Sequence, residues 1–192
     1  MKHYMLEMSK LKEHYMQEAE VSLRVALYYI TNHLTDHDIN VSLDGAHIKT
    51  KNTTHFDIYG FLATNACRKI GGTADSWQGT YEVDGYKPKI IISSTPGIGD
   101  INIITTDSKQ LYIEIKKGNE KNRNNSEYPL MREAIGQLMT GCQLSENVIP
   151  VVAVPYSNKS HALAKRWSQL KQIQMVGIRF MLVRDTGSLE II

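Results

Sequence analysis

Cysteine is scarce in this sequence, with Cys67 and Cys142 the only two among 192 residues. Two cysteines cannot form the disulfide framework of a small secreted domain, and neither lies in a Cys-x-x-Cys or Cys/His spacing typical of zinc. A reducing cytoplasm is the simplest compartment. Long apolar runs are also lacking: none approaches the roughly 18 consecutive apolar residues of a membrane helix. The opening Met1-Lys2-His3-Tyr4, followed by Glu7, Lys10, Lys12 and Glu13, has no apolar core of a secretory leader. No membrane partner is expected. Charge of one sign is scarce as well, because 22 Lys and Arg face 20 Asp and Glu for a net +2. Total charge therefore points to no particular partner, and only clustered charge is informative. There is no internal repeat and no low-complexity tract. A chain that is 42% hydrophobic and 22% charged has the composition of an ordinary folded protein.

What is present reads as one α/β domain over 1–192, with a helical N-terminal extension over 1–80 and a core over 81–192. From Met5 to Leu34 neither Pro nor Gly intervenes, and Met16, Ala19, Leu23, Ala26, Leu27, Ile30 and Leu34 recur at helical steps. Asn40 to Asn52 is turn-rich, and Phe56 to Ile70 reads as a second helix stopped by Gly71-Gly72. Tyr81 to Ser94 reads as a strand pair around Asp84-Gly85. Asp100 to Thr106 and Leu111 to Lys117 form a further hairpin. A polar loop from Lys117 to Ser126 leads into a helix with Pro129 in its first turn, running to about Cys142. Val148 to Val154 is a buried-type strand, His161 to Gln174 a basic helix, and Gly177 to Val183 another strand. The expected architecture is a mixed central sheet flanked by helices.

The second hairpin concentrates the chemistry. Strands alternate faces, so Asp100 and Asn102 project opposite to Ile101 and Ile103, as Glu114 and Lys116 do relative to Ile113 and Ile115. Pairing Ile101 with Ile115 and Ile103 with Ile113 puts both apolar sets on one face. Asp100 then stands opposite Lys116, and Asn102 opposite Glu114, which gathers two acids and an ammonium on one patch. This register needs a three-residue connection, Asp107-Ser108-Lys109, or a longer odd-numbered one, because a one-residue slip would reverse the faces. Such a set suits a hard cation such as Mg²⁺, which takes one or two carboxylates, keeps its waters and makes them more acidic. Lys116 beside it could orient the attacking water and offset charge developing on a phosphate.

Pro96-Gly97-Ile98-Gly99-Asp100, followed after the hairpin by Glu114-Ile115-Lys116, resembles the PD-(D/E)xK nuclease superfamily, whose members are restriction endonuclease-like in fold. The resemblance implies that Asp100, Glu114 and the backbone carbonyl of Ile115 hold Mg²⁺, with Mn²⁺ as a substitute, and that Lys116 is catalytic. The Pro stands four residues before the Asp here, whereas the family usually places it directly before. The strand-strand-strand-helix-strand order from Tyr81 to Val154 is similar to the family core. Gln137 matches a Gln that many members carry on the next helix. The superfamily often adds an acid from its first helix, and Glu20, which points within roughly 20° of Leu27 and Leu34 at about 100° per residue, is the candidate. Its alternative is a pair with Arg24, four residues on. Glu18 points away from the stripe.

The implied activity is hydrolysis of phosphodiesters by metal-activated water, with DNA favoured over RNA as substrate, and with a restriction or defence endonuclease favoured over junction resolution or repair. The competing reading is a catalytically silent nucleic-acid-binding module on the same fold. Lys117, Lys121 and Arg123, together with Lys159, Lys165, Arg166 and Lys171, could track a phosphate backbone; the alternative for each is a solvated charged face. Cutting both strands would favour a homodimer with two-fold symmetry. His47 and His55 lack a third partner at a zinc spacing, and Trp167 reads as core packing. Gly97 to Gly99 lacks the Gly-Lys-Ser/Thr of a P-loop. The Gly-x-Gly-Asp string of intramembrane aspartyl proteases has no membrane helix here to carry it.

Overall fold

A computed structural model describes residues 15–97, 99–118 and 126–192. The first helix, α1 (Glu18–Thr31), is followed by β1 (Ile39–Ser42), the one-turn α2 (Gly45–Ile48), the small hairpin β2 (Lys49–Thr50) and β3 (Thr53–Thr54), and α3 (Ile58–Thr64). Then come β4 (Cys67–Gly71), β5 (Gly79–Val83), β6 (Lys89–Ser93), β7 (Ile101–Ile104), β8 (Gln110–Ile115) and α4 (Glu127–Gly141). The chain finishes with β9 (Val148–Pro155), α5 (Asn158–Ser168), α6 (Lys171–Val176), β10 (Arg179–Val183) and β11 (Leu189–Ile191).

Apart from the β2–β3 hairpin, the strands form one nine-stranded mixed sheet in the order β11-β10-β9-β8-β7-β1-β6-β5-β4. β1 pairs parallel with β6 and antiparallel with β7, while β8, β9 and β10 are mutually parallel. The carboxyl ends of β1, β6, β8, β9 and β10 therefore reach the same edge, the usual location of sites in open α/β sheets.

Two apolar layers sandwich the β8–β10 region. On one face, Ile101, Ile103, Ile113, Ile115, Val151 and Ala153 pack against α1, whose Leu23, Val25, Ala26 and Ile30 are buried. On the other, Tyr112, Val152, Val154 and Phe180 meet Met131, Ala134 and Leu138 of α4 and Leu163, Ala164 and Trp167 of α5. Met131, Ala134 and Leu138 recur at steps of three and four, which gives α4 one apolar stripe. A buried capping box starts α5: Ser157 Oγ accepts from the Ser160 N–H at 2.9 Å, and Ser160 Oγ accepts from the Ser157 N–H at 2.8 Å. Trp167 is core, as its sequence setting suggests.

Several elements differ from the sequence expectation. Residues 18–80 are no helical extension, since β1 lies inside the sheet and β4 forms its edge. Only Ile39 and Val41 of β1 are buried, so four residues give too short an alternation to stand out among turn-forming neighbours. The helix expected over 56–70 stops at Thr64, and Ala66 turns the chain at φ 55° into β4. β4 is an edge strand whose Arg68 bonds Glu82 across the ladder, so its sequence carries no apolar signal. The expected helix over 161–174 is two, α5 and α6, separated where Leu170 turns extended. β11, a three-residue edge strand, had no readable pattern. The part of the N-terminal helix expected before residue 15 lies outside the described residues. Among the described residues no helix is long and apolar enough to cross a membrane.

Candidate active site

The β7–β8 hairpin has the expected facing but a register shifted by two residues. Ile101 pairs with Ile113 and Asn102 with Tyr112, instead of with Ile115 and Glu114. A two-residue shift preserves the faces, and the connection stays odd-numbered: Thr105 and Lys109 close it, with Ser108 at φ 63°. The change concerns the partners. Asp100 lies beside Glu114 rather than opposite Lys116, and Asn102 accepts from Gln110 at 3.3 Å, away from both acids.

Gly99 makes this approach possible. Its φ is +71°, and a Cβ there would sit 2.9 Å from the Ile113 carbonyl oxygen. Only glycine combines that conformation with so close a passage. The next residue is then anchored twice, because the Asp100 N–H donates to the Ile113 carbonyl at 2.9 Å and Asp100 Oδ2 accepts from the Ile115 N–H at 2.7 Å. Ser42, at the end of β1, donates its N–H to the Asp100 carbonyl at 2.7 Å.

The two carboxyl groups are close enough to act on each other's ionisation. Burial raises the Asp100 carboxyl above its usual range, against the lowering by the Ile115 N–H and the Lys116 charge. Glu114 is pushed up to about 7, first by burial and then by the Asp100 charge beside it. Neighbouring acids cannot both ionise cheaply without a cation, so Glu114 keeps its proton up to near neutral pH.

Lys116 follows β8 and is only 6% exposed. Its Nζ lies 3.1 Å from Oε1 of Glu133, a residue of α4 whose side chain is 56% exposed. The Lys116 charge nevertheless acts on both Asp100 and Glu114. Gln137, one helical turn beyond Glu133, lines a cleft of about 360 Å³ with Asp100 and Glu114. Ser42, Asp44, Thr95 and Pro96 also line it.

The acid that α1 brings to this edge is Glu18, not Glu20. Glu20 Oε1 accepts from Nε and the terminal nitrogen of Arg24 at 2.9 and 2.7 Å, the pairing weighed as its alternative. Glu18 shares a small cavity with Asp100 and Asp44, and its charge raises both site carboxyls. Glu18 lies in the first turn of α1, off the apolar stripe that helical periodicity marks. Met16 sets this position by bonding Gly118, with N–H to carbonyl distances of 2.8 and 3.1 Å.

Lys117 is half-buried immediately after Lys116, whereas Lys121 and Arg123 lie outside the described residues. Lys165, Arg166 and Lys171 are exposed on α5 and α6, away from the residues lining the cleft. Among the described residues no group of three His, Cys, Asp or Glu side chains is gathered closely enough to hold a metal by side chains alone. His55 bonds Thr50 at 2.6 Å. Sequence reading missed Glu18, Glu133, Ser42 and Asp44. For Glu133, the signal was its place one turn before Gln137. No family model matches the chain, nor does any curated protein or solved structure.

Proposed function

We propose that the protein is a divalent-metal-dependent nuclease of the PD-(D/E)xK, restriction endonuclease-like kind, acting on DNA. The observation that carries this reading is the pair of half-buried carboxyls, Asp100 and Glu114, side by side at the wall of an open cleft, with Lys116 two residues beyond Glu114 and its charge acting on both. A purely structural pair of acids at such a place costs stability and returns nothing. The donor set fits Mg²⁺, which is content with one or two carboxylates, a backbone carbonyl and waters. In a strand the N–H and carbonyl of one residue point the same way; since the Ile115 N–H reaches Asp100, its carbonyl faces the same side and would be the third ligand. When bound, the metal supplies a water that ionises near neutral pH and offsets charge on the phosphate.

The chain's own groups then have distinct tasks. Asp100, fixed by two backbone bonds, presents its second carboxylate oxygen in a set position. Glu114 must give up its proton before it can serve as a ligand. Lys116 brings its positive charge to the scissile phosphate from a buried position where water screens it little. Gln137 offers an amide at the cleft wall to orient the nucleophile or the backbone. Glu18 adds negative charge from α1, directly or through water.

One observation favours the second reading, a nucleic-acid-binding module without catalysis: Lys116 already has a carboxylate partner in Glu133. Incubation with supercoiled plasmid separates the two. Nicking that requires Mg²⁺ or Mn²⁺ and disappears in the Asp100→Ala, Glu114→Ala double variant is the expected result. Salt-sensitive retention without nicking would establish the binder, and cleavage by the double variant would end the nuclease reading at this site.

A further inference from the structure

The Lys116–Glu133 pair is asymmetric. The ammonium is nearly inaccessible, while the carboxylate 3.1 Å away is more than half exposed. A buried ammonium without a counter-ion is costly, so it keeps an anion beside it at all times. An exposed carboxylate on a long side chain, by contrast, returns to water at little cost. Asp100 and Glu114 are also within range of the Lys116 charge. The ion pair that Lys116 forms is nonetheless with Glu133, while Asp100 Oδ2 receives the Ile115 N–H. Gln137, one helical turn beyond Glu133 on α4, lines the cleft together with Asp100 and Glu114, so the cleft borders the helix that supplies the partner of Lys116.

Resting on the nuclease reading, we propose that Glu133 is a positioning residue that acts through Lys116: it holds the ammonium on the α4 side of the cleft, leaving Asp100 and Glu114 to a divalent cation, and yields it to a phosphodiester of the incoming nucleic acid. Three anions thus compete for one buried cation. The carboxylate of Glu133 occupies it in the free protein and is exchanged for a non-bridging phosphate oxygen in the complex, so the ammonium is never stripped of a partner. Two consequences of opposite sign follow. Without the Glu133 charge, Lys116 turns to Asp100 and Glu114 and competes with the metal. Without the same charge, a phosphate has no rival for Lys116.

The test uses the full chain and two binding measurements that need no turnover. Mn²⁺ affinity is measured by titration calorimetry, and affinity for a short DNA duplex by fluorescence anisotropy in metal-free buffer, for wild type and Glu133→Gln. The expected result is Mn²⁺ binding weakened about threefold or more and duplex binding tightened about threefold or more, the scale of a lost or gained charge contact at a partly exposed site. Both shifts should vanish when Glu133→Gln is made on a Lys116→Met background. A merely structural Glu133 would weaken both affinities together or change neither. Failure of either shift, or persistence of either without the lysine, overturns the proposal. If Mn²⁺ binds wild type and is lost in Asp100→Ala yet is indifferent to Glu133→Gln, only this inference falls. If wild type binds no Mn²⁺, the nuclease reading falls with it.

Discussion

The proton that Glu114 holds beside Asp100 is the residue-scale property with the clearest consequence. The Glu114 carboxyl has an ordinary value of 4.5 and is pushed up to about 7 in the folded chain. Between these values the folded protein holds a proton that the unfolded chain has released. That contribution to stability is fully present below 4.5 and is lost as pH rises through about 7. A cation reverses the balance, since it needs the ionised form. Mn²⁺ affinity should therefore rise by about tenfold per pH unit below neutrality, with about one proton released per ion, and level off above it. Calorimetry in buffers of different ionisation enthalpy measures that proton. In Glu114→Gln the release should disappear; a flat pH profile in wild type would contradict a Glu114 proton held to near neutral pH.

At the scale of elements, the β6–β7 loop and the β7–β8 hairpin determine whether the acids meet. Gly99 is the point where the loop passes against β8. Gly99→Ala combines a left-handed φ with a backbone clash, and it should cost about 1–3 kcal/mol. Chemical denaturation measures the loss, and metal affinity should fall with it because Asp100 shifts from its two backbone anchors. A variant as stable as wild type would show that the loop has another route. The hairpin was legible in the sequence because Ile101, Ile103, Ile113 and Ile115 fix its faces, and those faces brought Asp100 and Glu114 together despite the wrong register. Register was harder to read, since pairing Ile101 with Ile113 or with Ile115 buries equally apolar pairs. What decides between them is Gly99 lying over Ile113, a contact between backbones that no hydrophobic pattern records. Glu18 was missed for a related reason: its position follows from the bridge between Met16 and Gly118, a tertiary contact.

For the whole molecule, the nine-stranded sheet joins what the sequence divided. β1 contributes both its edges, one to β6 and one to β7, so residues 39–42 bind together the two hairpins on either side. A chain starting at residue 81 would leave β6 and β7 with unpaired edges and remove α1 from one face of the core. It should show no cooperative melt by circular dichroism and should aggregate; a monomeric, cooperatively folding fragment would mean the N-terminal elements are dispensable. From β6 to β10 the strands were readable because they are rich in β-branched residues, whereas the three-residue β11 and the break between α5 and α6 were not. β1 was not readable because its partners β6 and β7 are distant in the chain, and β4 because an edge strand carries no apolar signal.

The central claim is that Asp100 and Glu114 meet around a common ion. Crystals grown without metal and then soaked in Mn²⁺ test it directly, through the anomalous signal of the manganese. One strong peak is expected within bonding distance of both carboxylates and of the Ile115 carbonyl. Saturating Mn²⁺ that gives no peak between the two acids would contradict the claim.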